Sequence, residues 1–200
     1  MRSLVALLLL VLTRDGLVHR FDGHHDTTAK APQAAAIAVV ANRTVVLAGG
    51  KLTVDGKPLP GNFADVRALA GGAELWALTA AGVSRVDLKT GALTVALVEP
   101  HAHRVAADGA DAFCEHDGAI VQIGTSHTWK IAGRPIALAA GDGKLYVATK
   151  EGPLWEVDRA TGKQANLGLG DWWGTIALTY GEHALYAVTV AGKLWKIERC

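Results

Sequence analysis

Leu145-Tyr146-Val147-Ala148-Thr149-Lys150-Glu151-Gly152-Pro153-Leu154-Trp155-Glu156-Val157-Asp158 is two apolar runs hinged on a glycine and closed by an acid. The phrase returns at Leu185-Tyr186-Ala187-Val188-Thr189-Val190-Ala191-Gly192-Lys193-Leu194-Trp195-Lys196-Ile197-Glu198, and again from Leu75 to Asp87. Such short runs of Val, Leu, Ile and Thr between turn residues read as strands, and none carries an apolar 3.6-residue stripe of helical length. One unit cannot bury its own apolar faces, so the copies must stack to make a core. The repeat therefore dictates architecture before it says anything of function.

Outward from that phrase, the aligned turn glycines are Gly16, Gly50, Gly82, Gly118, Gly152 and Gly192, spaced 34, 32, 36, 34 and 40 residues apart. This period is at the short end of what a four-stranded blade requires. In the fifth copy Ile136 to Ala140 is the small-residue inner strand, Lys144 to Thr149 the second, and Leu154 to Asp158 the third. Lys163 to Leu167 is a weaker outer strand. The expected copies lie near 1–33, 34–65, 66–103, 104–135, 136–175 and 176–200, in a single domain spanning 1–200. Copy one lacks an obvious inner strand and copy six an outer one. Met1 to Ala6 is then expected to complete the last blade, which would remove the open sheet edge.

The Asp-x-x-Thr-Gly turns of Val157-Asp158-Arg159-Ala160-Thr161-Gly162 and Val86-Asp87-Leu88-Lys89-Thr90-Gly91 resemble those of β-propeller repeats of the WD40-like and quinoprotein-like kinds. The resemblance covers nearly the whole chain. It implies an all-β fold, a small β-propeller of six short blades with up to four antiparallel strands each. The regular Gly-His and Trp-Asp pairs of WD40 repeats do not recur from copy to copy, and no docking Trp repeats on the outer strands. No catalytic residue is carried over.

Composition narrows the function classes. A net charge of +1 on 200 residues creates no global field toward nucleic acid or an anionic membrane. Two cysteines, Cys114 and Cys200, are too few for a disulfide framework, and Cys114 sits in an apolar run as a small hydrophobe. The apolar Leu4 to Leu12 segment looks like part of a signal peptide. It also aligns without a gap onto the repeat, with Leu9 falling on Leu145, so it is read as a strand and the chain as cytoplasmic. That stretch is far short of the roughly 20 residues needed to span a bilayer.

Propeller topology sorts the loops. Turns between second and third strands, and the links between copies, gather at one end of the ring; the other turns gather at the opposite end. The first end collects Phe63, His101, His116 and the link Gly168-Leu169-Gly170-Asp171-Trp172-Trp173-Gly174. Tandem Trp among glycines is not a strand requirement, and exposed Trp is favoured at binding hot spots. The alternative is that one or both indoles fold over the adjoining blade. Phe63, His101, His116, Asp171, Trp172 and Trp173 are the candidate partner-binding residues. Arg67 and Arg104 begin adjacent inner strands and could form a small anion site, unless an acid such as Asp65 neutralises it.

Eight His invite a metal reading, with His101, His103 and His116 the set that could converge and His24-His25 in a separate turn. No Asp, Glu or Cys stands at a spacing that completes a ligand set, and the inner strands are almost without acids. No nucleophile elbow, phosphate loop or dinucleotide fingerprint appears. No metal or cofactor is expected. The expectation is a non-catalytic interaction or scaffold module that binds another protein, with neither nucleic acid nor membrane as partner and the oligomeric state left open. A small-molecule or carbohydrate-binding propeller is the alternative, and a metal-dependent propeller hydrolase stands third.

Overall fold

The computed structural model describes residues 9–12, 17–21, 26–30, 34–168, 172–181 and 183–198, and side chains from residue 34 onward. Every regular element among them is a strand. The first sheet contains β1 (Leu9–Leu12), β2 (Leu17–Phe21) and β3 (Asp26–Lys30). Next come β4 (Ala34–Val40), β5 (Arg43–Ala48), β6 (Lys51–Val54) and β7 (Lys57–Pro58). The third sheet is β8 (Ala68–Gly71), β9 (Leu75–Thr79), β10 (Gly82–Val86) and β11 (Leu93–Val98). The fourth is β12 (Ala102–Asp108), β13 (Asp111–His116), β14 (Ala119–Gln122) and β15 (Thr128–Lys130). The fifth is β16 (Pro135–Gly141), β17 (Lys144–Thr149), β18 (Leu154–Asp158) and β19 (Gln164–Asn166). β20 (Thr175–Gly181), β21 (Ala184–Thr189) and β22 (Leu194–Glu198) make the last.

Each sheet is an antiparallel meander in chain order. The innermost strands β4, β8, β12, β16 and β20 neighbour one another in turn, which is the radial arrangement of a β-propeller. The expected six blades are corrected to five. Among the described residues the first copy supplies three strands and no innermost one, so β1–β3 lies beside β4 without a strand of its own at that position. Its missing inner strand, visible in the sequence, is the physical reason. The expected closure by Met1 to Ala6 falls outside the described residues, as do Asp15, Gly16, His24, His25, Asp171 and Cys200.

Alternation along the second strands builds the core. Leu145 and Val147 of β17 join Phe113, Ile120 and Val157 between the third and fourth blades. Tyr146 and Ala148 point the other way, to Leu154, Leu185 and Ala187 between the fourth and fifth. Likewise Leu75 and Ala77 pack with Val45 and Leu52, whereas Trp76 and Leu78 pack with Ala112 and Cys114. Four cores thus stitch five blades, each strand feeding two of them because side chains alternate with period two. Burial pushes the Cys114 thiol up to about 11, so it packs as an uncharged hydrophobe.

The shared Asp-x-x-Thr-Gly turn has a local cause. Asp158 Oδ1 accepts from the Thr161 backbone N–H at 2.9 Å and from Thr161 Oγ1 at 2.8 Å. The Gly162 N–H donates to the Asp158 carbonyl at 2.8 Å, with Gly162 at φ 70°. Asp87 repeats this with the N–H groups of Lys89 and Thr90 at 2.7 and 3.1 Å. The motif that carried the resemblance is a turn device, an Asx-type cap on a hairpin.

Candidate functional site

The links pack onto the preceding blade's turn, as the loop sorting expects. The Phe63 N–H donates to the Gly50 carbonyl at 3.1 Å, and the Trp172 N–H to the Gly152 carbonyl at 2.9 Å. That seating consumes two of the candidate side chains. Phe63 is buried against Val40, Leu52 and Val54, and Trp172 is buried beside Leu154 with its ring edge-on to Trp195 at 6.3 Å. Trp172 Nε1 is buried with no acceptor among the described residues. The two indoles of the tandem therefore part company: Trp172 plugs the seam between blades, and Trp173 stands 61% exposed.

His101 and His116 do come together, with ring centroids 6.5 Å apart. His116 Nδ1 lies 3.1 Å from Glu99 Oε1 and Nε2 lies 3.4 Å from Asp117 Oδ2, close enough for ion pairing when the ring is protonated, although Nδ1 makes no well-aligned hydrogen bond. Among the described residues no group of three or more His, Cys, Asp or Glu could hold a metal ion. The cluster is a polar seam tying the link at Glu99 to the turn at Asp117.

The matched arginines differ. Arg104 Nη1 meets Glu115 Oε2 at 2.9 Å, and that carboxylate also accepts from the Gly118 N–H at 3.1 Å. Arg67 has no carboxylate within ion-pair distance among the described residues; its Nη2 donates to the Thr79 carbonyl at 2.5 Å. The two guanidiniums do not form a shared anion site. Arg67 alone lines the central channel, a cavity of about 810 Å³ walled by all five innermost strands.

The opposite end carries inter-blade clasps. Arg159 reaches Asp108 at 2.9 Å and Asp111 at 3.3 Å while lying 5.1 Å over the Phe113 ring. Tyr180 stacks on Tyr146 with centroids 5.2 Å apart and donates its hydroxyl to Asp142 at 2.7 Å. Burial, with that bond, pushes the Tyr180 phenol above its ordinary range. His183 Nδ1 shares the same Asp142 oxygen at 2.7 Å.

What sequence reading missed is where apolar surface is left over. Among the described residues eight large apolar side chains are exposed: Leu93, Val95 and Val98 on β11, and Trp173, Ile176, Val190, Leu194 and Trp195 in and beside the last blade. Val190 adjoins the Trp link, its N–H donating to the Gly174 carbonyl at 2.8 Å. Trp195 matches Trp155 in the repeat, yet it is exposed where Trp155 is half-buried.

No protein-family model and no curated protein matches the chain. Many solved structures share its fold. An uncharacterised structural-genomics protein from Bacteroides thetaiotaomicron superposes with a TM-score of 0.69 at 13% identity, over 94% of this chain and 65% of that one. The extracellular domain of the one-component system BT4673 from B. thetaiotaomicron gives 0.63 at 13% identity, over 94% of this chain. BamB from Moraxella catarrhalis gives 0.53 at 18% identity, over 95% of this chain and 69% of that one. The chain spans about a third of the BT4673 domain, 31% of its length. At such identities the likeness is one of fold, the β-propeller.

Proposed function

We propose that this propeller is a non-catalytic interaction module whose partner, another protein, docks on the last blade and the link that leads into it. The observation that carries this is the concentration of exposed apolar side chains there, five of the eight, with two indoles among them. Clustered surface hydrophobics rimmed by polar residues mark interaction sites, and Trp contributes large contact area at low entropic cost. The site differs from the one expected: Phe63 and Trp172 hold the scaffold, and Trp173 and Val190 offer the contact. His101 and His116 lie on another blade and are not needed by it. Fold likeness supplies no activity, so the reading stands on this surface. A cytoplasmic location is part of this proposal, while the BT4673 structure that the chain resembles in fold is an extracellular domain; cell fractionation of the tagged full-length protein decides the compartment.

The test is site-directed photo-crosslinking from position 190, with position 163 on the fourth blade as control. A partner crosslinked from 190, absent from 163 and lost in Trp173→Ser with an unchanged circular dichroism spectrum, supports the surface. Equal crosslinking from both positions, or recovery unaffected by Trp173→Ser, sinks it.

A further inference from the structure

The channel that the five innermost strands enclose borders the docking surface at Ile176 and Leu194 and otherwise plays no part in it. Its volume of about 810 Å³ lies within the range of pockets that hold small molecules. Its walls are small and apolar, with Ala38, Ala70, Ala106 and Ala140 contributed by four successive blades. Among the described residues that line it Arg67 is the one charged group. At the opposite mouth Tyr180 also lines the channel, but its hydroxyl is already committed to Asp142 at 2.7 Å.

The comparison of matched positions sharpens this. Arg104 starts the next inner strand as Arg67 starts its own, and its charge is neutralised within the blade by Glu115 at 2.9 Å. Arg67 keeps its charge, anchored through Nη2 on the Thr79 carbonyl at 2.5 Å, with Nε and Nη1 left to meet another acceptor. A single fixed guanidinium at the rim of an otherwise uncharged apolar channel complements one kind of ligand. We propose that the channel binds a medium-chain monocarboxylate, its head group on Arg67 and its unbranched tail against the alanine walls.

Calorimetric titration of the whole protein with decanoate, and with decanamide as the uncharged counterpart, tests this. Saturable uptake of one decanoate per chain is expected, with decanamide and the Arg67→Met variant each weaker by about tenfold or more, the loss of a charge-assisted hydrogen bond. Ala177→Trp, at an exposed position lining the channel, should block both ligands. Absence of wild-type binding up to about 1 mM overturns the proposal, as does equal affinity for acid and amide. Should Arg67→Met fail to fold, the acid–amide comparison on the wild type decides alone. Loss of decanoate binding in Trp173→Ser with Arg67→Met unaffected would place the ligand on the docking surface and also overturn it.

Discussion

The fourth and fifth blades speak nearly the same words and end in different surroundings. β17 and β21 both carry Leu-Tyr at their second and third positions, and β18 and β22 both begin Leu-Trp, so the same strands and ladders form. Yet Leu154 is 0% exposed and its counterpart Leu194 is 42% exposed. Trp155 is half-buried with its Nε1 donating to the Ala132 carbonyl at 3.0 Å, whereas Trp195 is 48% exposed. The repeat specifies the strand; a neighbour stacked on each flank decides what the strand buries. Among the described residues the fourth blade has cores on both sides and the fifth has one. Surface free for a partner arises from a difference in stacking, with no special motif required.

The sharpest way to break this comparison is to truncate the matched leucines. Leu154→Ala should cost about 2–5 kcal/mol in urea unfolding, the usual penalty for emptying a packed core position. Leu194→Ala should cost less than about 1 kcal/mol, because little surface is withdrawn from water there. Equal costs would mean that the fifth blade is as enclosed as the fourth, and the docking surface would lose its basis.

Much of the architecture was legible before any coordinates. Strand positions followed from alternation and turn glycines, and the crowded inner strands from their alanines. Even the defect in the first copy, its absent inner strand, was visible; what it implied for the blade count was not, because a count of phrases treats each copy as whole. Trp172 and Trp173 show the limit more finely. Adjacent and chemically identical, they are separated by which one the Gly152 carbonyl draws onto the blade seam, a backbone contact 20 residues away in sequence. Phe63 is hidden for the same reason, through the Gly50 carbonyl. Arg67 and Arg104 were matched by position, but the partner that separates them, Glu115, lies across a strand pair from Arg104. Tertiary pairing of this kind leaves no trace in local pattern.

A second test concerns what holds the fifth blade on at all. Gly141 has no side chain where the Tyr180 ring crosses from the neighbouring blade, and an added Cβ would overlap that ring. Gly141→Ala should therefore displace Tyr180 from its stack on Tyr146 and from Asp142, destabilising by about 1–3 kcal/mol, the range for overpacking. Pairing it with Tyr180→Ala should return part of the alanine's own cost, since the clash is gone. If the double variant were no better than the sum of the two singles, the contact would not be the latch between these blades.

The smallest effect should appear in acid, and it too separates the blades. Asp158 closes the fourth blade's phrase, and Lys144 Nζ at 2.5 Å, together with Thr161, holds its carboxyl well below the usual carboxylate range. Glu198 holds the corresponding place in the fifth, lowered by Lys196 at 2.5 Å. A carboxylate whose folded pKa is depressed adds stability that is present above its unfolded pKa, about 4, and is lost as pH falls through the folded value. Asp158→Asn should lower the unfolding midpoint at pH 7 and flatten its decline below about pH 4, with the gap between variant and wild type narrowing from there and closing only once the pH has fallen through the folded value. Glu198→Gln should do the same more weakly, because its partner is a neighbour on its own strand, in contrast to Lys144 across the β17–β18 ladder. A larger acid response at Glu198 than at Asp158 would reverse the ranking, making the fifth blade the better-braced of the two.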